Sequence, residues 1–120
     1  MSSTRPVSSP EEYVANLRVV FTYLAGTGVS VIWATSTPIN EVALNTGKPY
    51  RWYQTDLVEY NRLSVDLAQG FGLHINDMYR RLSEANAQAL LLPDGVHFDR
   101  SGNELIGRYV ADAIQAICGA

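Results

Sequence analysis

A ten-residue stretch in the first third of the chain decides the fold class: VSVIWATSTP, residues 29–38. Its first six residues are mostly apolar and rich in β-branched side chains, and the polar remainder ends in proline. A run this short and this apolar is typical of a strand buried on both faces of a parallel sheet. We therefore predict a strand over residues 29–34 that passes into a turn.

Helical patterns flank this strand on both sides. Ser9, Pro10 and Glu12 form a capping box with proline at the first helical position, which predicts a helix over residues 10–25. Residues 38–54 show neither a helical nor a strand period and are predicted to form a long loop. Downstream patterns predict a helix from residue 55 or 56 to about 70, a strand over 73–75, a helical segment from Asp77 to residue 89, and a last helix from Asp99 to about 118.

The order helix, strand, helix, strand, helix predicts an α/β fold with parallel strands. Two short strands leave an apolar edge without a partner, and such an edge pairs readily with another chain. We therefore predict a homo-oligomer that forms through the edge strand 29–35.

Length and composition predict one soluble domain over residues 1–120, in which residues 1–8 are a flexible leader. The formal charge of −3 and the absence of a long basic run argue against a nucleic-acid partner. One cysteine, Cys118, and two distant histidines suggest neither a disulfide nor a metal site, so no cofactor is expected, and Cys118 is predicted to pack within the last helix. No apolar stretch is long enough to span a bilayer, and residues 1–9 lack the apolar centre of a secretory signal. The sequence does not indicate in which cellular compartment the protein is found.

An acidic residue stands three positions before a histidine in DGVHF, residues 94–98. On a turn of this kind the Asp94 carboxylate can reach Nδ1 of His97, which fixes the tautomer and leaves Nε2 free to take a proton from a hydroxyl. This is the base half of a serine hydrolase. The spacing alone favours an ordinary Asp-Gly turn followed by a histidine that merely caps the next helix, because motifs this short are common by chance.

Together with TSTP at 35–38, the helix that contains Tyr60-Asn61 and INDMY at 75–79, the DGVHF turn resembles the carboxy-terminal half of the SGNH/GDSL-type hydrolase (lipase/esterase) family. The resemblance covers about residues 8–118. It implies part of a three-layer α/β/α flavodoxin-like fold with parallel strands, from which the amino-terminal strands are missing. It also implies that His97, oriented by Asp94, is the general base in the hydrolysis of a small-molecule carboxylic ester.

The family's Gly-Asp-Ser nucleophile turn, oxyanion-hole glycine and Gly-x-Asn-Asp block are not found in these 120 residues. An Asp-His pair without a nucleophile cannot form an acyl-enzyme, so the sequence leaves open whether the chain is an enzyme. The alternative is a catalytically silent half-domain that associates with itself or binds a partner.

Three further residues are candidates for substrate binding. Ser36 and Thr37 follow the predicted strand, at the edge where ligands of open α/β sheets collect, although polar residues there are also ordinary turn formers. Trp52 belongs to an aromatic cluster with Tyr50 and Tyr53 that either lines a pocket or clamps its loop onto the domain. His74 is predicted to be an interior structural histidine.

Overall fold

Helices dominate the described part of the chain, which comprises residues 9–49 and 51–119 of a computed structural model. The predicted leader, residues 1–8, and Tyr50 lie outside this part. The elements in chain order are α1 (Pro10–Ala25), β1 (Ile32–Ala34), α2 (Glu41–Asn45), α3 (Gln54–Gly70), β2 (His74–Asn76), α4 (Met78–Glu84), a 3₁₀ helix (Ala87–Leu90) and α5 (Arg100–Cys118).

The two strands pair in parallel, with Ile32 beside His74 and Ala34 beside Asn76. Helix α3 connects them, as a parallel pair requires. Helices α1 and α3 pack together, whereas α5 contacts α4, the 3₁₀ helix and β2. The arrangement is part of an α/β/α fold with parallel strands, as the sequence predicts.

The hydrophobic interior has two parts. Near β1, the ring of Phe21 meets Trp33 edge-on at 5.1 Å, and the Trp33 indole N–H donates to Ser64 Oγ of α3 at 2.8 Å. The second part lies under α4 and α5, where four residues are buried: Met78, Leu82, Ala87 and Phe98. Phe98 directly follows His97, so this second cluster anchors the chain next to the histidine.

Local capping signals place the helix starts correctly. The capping box of Ser9 and Glu12 is formed in both directions, and α1 spans the predicted residues. Asp77 accepts the N–H of Arg80 at the start of α4. Asp99 accepts the N–H of Gly102 at 2.8 Å, and α5 begins one residue later.

Strand β1 differs from its prediction in length and burial. It spans three residues instead of six; Ile32 and Trp33 are partly buried, Ala34 is exposed, and Val29 before the strand is 62% exposed. Among the described residues β1 pairs only with β2, so its other edge has no strand partner in this part of the chain. Strand β2 lies one residue later than predicted.

The predicted loop 38–54 contains the short helix α2, because the Asn40 side chain caps the N–H of Ala43. The helix after Asp77 stops at Glu84, and Asn86 takes a left-handed backbone conformation (φ 55°) before the 3₁₀ turn. His74 is exposed instead of interior, although Asn76 on the same face of β2 is buried. Cys118 is also exposed, since it sits in the last turn of α5.

The described chain is less compact than a typical domain of its length. Its radius of gyration is 15.7 Å, whereas a compact domain of this length has about 14 Å. Within the described residues, no helix combines the length and the apolar character that a bilayer crossing needs.

Candidate active site

Residues 92–98 form a tight turn between the 3₁₀ helix and α5. The N–H of Leu92 donates to the carbonyl of His97 at 2.7 Å, and the N–H of Gly95 donates to the carbonyl of Leu92 at 2.9 Å. Leu91 and Phe98 form an antiparallel bridge at its base. We call residues 94–98 the Asp-His turn.

Asp94 organises this turn through both carboxylate oxygens. Oδ1 accepts the backbone N–H groups of Val96 and His97, each at 3.0 Å, and Oδ2 lies 2.6 Å from Nδ1 of His97. The hydrogen bonds from the Val96 backbone, the His97 backbone and the His97 ring, in that order, lower the pKa of Asp94 from 3.8 to about 2. The carboxylate is therefore ionised at neutral pH.

An ionised carboxylate can only accept hydrogen bonds, so Nδ1 of His97 must be the donor in the 2.6 Å contact. A neutral ring then carries its lone pair on Nε2. The His97 side chain is 76% exposed, and no residue in the described ranges hydrogen-bonds Nε2. The ring can thus receive a proton from an incoming hydroxyl. It does not cap α5, because Asp99 does.

Gly95 fits this turn because it has no side chain. Its φ of +79° suits glycine, and a Cβ here would lie 2.7 Å from both the Asn40 carbonyl oxygen and the Leu44 nitrogen. The Gly95 carbonyl in turn accepts the N–H of Asn40 at 2.9 Å. The Asp-His turn is therefore docked directly on the backbone at the start of α2.

The segment after β1 contains two of the weaker candidates. Asn61 of α3 holds the backbone of Ser36 at both ends, accepting its N–H at 2.9 Å and donating to its carbonyl at 3.0 Å. Ser36 is exposed and Thr37 half-buried. Ser36 thus follows β1 as predicted, but in the described residues no hydrogen bond joins it to His97.

Thr35, one position earlier, ties the two strand ends together. Its hydroxyl donates to Asp77 Oδ1 at 3.1 Å and accepts the N–H of Tyr79 at 2.9 Å. This buried contact fixes the edge of the sheet from which Ser36 and Thr37 extend.

The loop that contains Trp52 is held against α2. The Asn45 side chain accepts the Trp52 N–H at 2.7 Å and donates to the Trp52 carbonyl at 2.8 Å. These two bonds hold the backbone of Trp52 against α2, and Trp52 is 46% exposed.

Sequence reasoning named Asn61 only within the family resemblance, and it did not single out Asn40 or the close packing of Gly95. The Asp-Gly pair carries a signal for a left-handed glycine. Asn61 carries no local signal, because its partner Ser36 is 25 residues away. Across the described ranges, no group of three or more potential ligand side chains is arranged to hold a metal.

No protein-family model matches the chain. A human protein named isoamyl acetate-hydrolyzing esterase 1 homolog is 28% identical over 104 residues. The alignment covers 80% of this chain and 42% of the human protein, so the chain spans less than half the length of that relative.

Solved structures share the fold. A lipase/acylhydrolase from Enterococcus faecalis superposes with a TM-score of 0.75 at 21% identity, covering 93% of this chain and 54% of that one. An alpha/beta hydrolase enzyme from the metagenome of Lake Arreo, Spain, gives 0.65 at 23% identity, covering 93% and 48%. The esterase domain of an ORF1 protein from a zebrafish retrotransposon gives 0.70 at 16% identity, covering 92% and 61%.

The chain thus has part of the α/β/α fold of lipase- and esterase-type hydrolases. The resemblance to the SGNH/GDSL-type hydrolase family that its sequence shows is confirmed.

Proposed function

We propose that this chain contributes the base half of an active site that hydrolyses small carboxylic esters. The observation that carries the proposal is the 2.6 Å contact between Nδ1 of His97 and an Asp94 carboxylate whose pKa is about 2. Three names support this class of reaction. The human relative is named as an esterase homolog, and the two solved structures are a lipase/acylhydrolase and an esterase domain.

In the proposed mechanism, Nε2 of His97 takes the proton of a serine hydroxyl while the serine oxygen attacks the ester carbonyl. Asp94 stabilises the imidazolium that forms, and Nε2 then gives its proton to the departing alcohol. A water molecule, deprotonated by the same nitrogen, attacks the acyl-serine, and the carboxylic acid and free serine result. The 120 residues contain no Gly-Asp-Ser motif, so we place this serine outside them.

The test is hydrolysis of a short-chain nitrophenyl ester by the polypeptide in which the chain naturally occurs. We expect His97→Ala to abolish turnover and Ser36→Ala to preserve it. A fluorophosphonate probe, followed by peptide mapping, should label a serine outside residues 1–120. Labelling of Ser36 would show instead that this serine is the nucleophile, and no hydrolysis above the His97→Ala background would contradict the proposal.

A second candidate function is self-association through the edge of β1. An apolar side chain just before this edge is open to solvent, since Val29 is 62% exposed. The open overall dimensions of the chain point the same way. A second copy related by a twofold axis would pair with β1 in the antiparallel direction. In this reading the chain is a binding module whose Asp-His turn has no catalytic role.

A further inference from the structure

Two glutamine side chains converge on a single peptide unit close to the Asp-His turn. The Gln54 amide spans the backbone of Ile39, accepting its N–H at 2.9 Å and donating to its carbonyl at 2.9 Å. Gln88 of the 3₁₀ helix donates to the same carbonyl at 3.1 Å. Ile39 and the preceding Pro38 are buried, so these amides satisfy backbone groups that water does not reach.

The residue after Ile39 contacts the turn itself. Asn40 donates its N–H to the Gly95 carbonyl, and its own carbonyl oxygen fills the space next to the Gly95 α-carbon. Gly95 lies between Asp94 and His97, whose ring and carboxylate meet at 2.6 Å. A shift of the Ile39 backbone should therefore move Gly95, because Asn40, the next residue, is both hydrogen-bonded to Gly95 and packed directly against its α-carbon.

We infer that Gln54 and Gln88 are positioning residues for His97 and hold its ring in the Nδ1–H tautomer through Ile39, Asn40 and Gly95. This inference deepens the proposed function and rests on His97 as the base. Among the described residues, no hydrogen bond joins either glutamine to the ring. Their effect is on the turn geometry that keeps Asp94 Oδ2 in line with Nδ1, a contact that weakens steeply once it is misaligned.

The experiment reads the tautomer directly. In ¹⁵N-labelled protein, long-range ¹H–¹⁵N correlations from the carbon-bound ring protons show which nitrogen of His97 carries the proton. The measurement is made at a pH where the ring is neutral. The wild type should be mainly the Nδ1–H form. Gln54→Met keeps the side-chain volume but removes both hydrogen bonds, and should shift the population toward the Nε2–H form that a free imidazole prefers. Gln88→Met, which removes one bond, should shift it less.

Asn61→Leu is the matched control. Asn61 lies on the same helix as Gln54 and clamps the backbone of Ser36 in the same two-bond manner, but does not contact Ile39. We expect it to leave the His97 tautomer unchanged. The inference is wrong if Gln54→Met leaves the population as in the wild type while the far-ultraviolet spectrum shows a folded chain, or if Asn61→Leu shifts it equally.

If Gln54→Met does not fold, Gln88→Met decides by the same criterion. The tautomer measurement needs no catalysis, so absence of ester hydrolysis would contradict the proposed function and leave this result standing. Where the ester is hydrolysed, Gln54→Met should lower kcat and leave KM near the wild-type value.

Discussion

Phe98 packs so closely on Gly102 that a Cβ on the glycine would lie 2.7 Å from the Phe98 Cβ and 2.8 Å from a ring carbon. Phe98 is buried and directly follows His97. The contact therefore fixes the chain on the α5 side of the Asp-His turn, as the Gly95–Asn40 contact fixes it on the α2 side.

Gly102→Ala should destabilise the chain although alanine is the better helix former. The new methyl group must displace the Phe98 Cβ, and such overpacking costs about 1–3 kcal/mol. The control is Gly107→Ala in the same helix, where nothing lies within 4 Å of the added atom. There the propensity gain of about 1 kcal/mol should appear as added stability. Urea unfolding of both variants measures the difference, and equal stabilisation would show that Phe98 yields freely.

Thr35→Val should also lower the free energy of unfolding, because the partly buried Tyr79 N–H and the Asp77 carboxylate each lose a partner. The expected cost is about 1–3 kcal/mol. Thr22→Val is the control, since the Thr22 hydroxyl bonds only the exposed Arg18 carbonyl and should matter by less than about 0.5 kcal/mol. A shift of the urea midpoint as small in Thr35→Val as in Thr22→Val would exclude a structural role for the Thr35 contact.

Acid should lower the free energy of unfolding, because it protonates Asp94. Because folding lowers its pKa from 3.8 to about 2, the carboxylate contributes stability that is fully present well above pH 3.8 and is lost as the pH falls toward 2. The difference in free energy of unfolding between the wild type and Asp94→Asn should therefore shrink over that interval. A difference independent of pH down to 2 would contradict the depressed pKa.

His97→Ala should raise the pKa of Asp94 only part of the way to 3.8. The two largest causes of the low value are backbone N–H groups, which this variant keeps. The ¹³C shift of the Asp94 carboxyl carbon reports the titration. A complete return of the Asp94 pKa to 3.8 would mean that the His97 ring, and not the backbone N–H groups, lowers this pKa.

Self-association should depend on the edge of β1. We expect the chain to scatter light as an oligomer at micromolar concentration, and Val29→Lys to shift it toward the monomer by placing a charge on the paired edge. Val42→Lys is the control, because Val42 is even more exposed, at 80%, but lies on α2. A monomeric wild type, or equal effects of the two lysines, would contradict the second candidate function.

Features encoded within a few residues could be predicted from the sequence. The Ser9 and Asp99 caps place the starts of α1 and α5 because each side chain bonds a backbone N–H three positions ahead. The Asp94–His97 contact spans the same short distance.

Features that depend on distant partners could not be predicted. The extent of β1 depends on its neighbours, and the described residues provide only β2. Helix α2 is too short to show a helical period. The partners of Ile39 lie 15 and 49 residues away, at Gln54 and Gln88, so no local pattern indicates them.

The central claim is that Asp94 and His97 act as one unit in ester hydrolysis, and a double-mutant cycle tests it most directly. The measurement is kcat/KM for a short-chain nitrophenyl ester in the natural polypeptide carrying Asp94→Asn, His97→Ala or both. We predict that each single change lowers kcat/KM by about a hundredfold or more, and that the double variant is no slower than His97→Ala because the pair acts together. Losses that add, or a His97→Ala variant as fast as the wild type, would contradict the account.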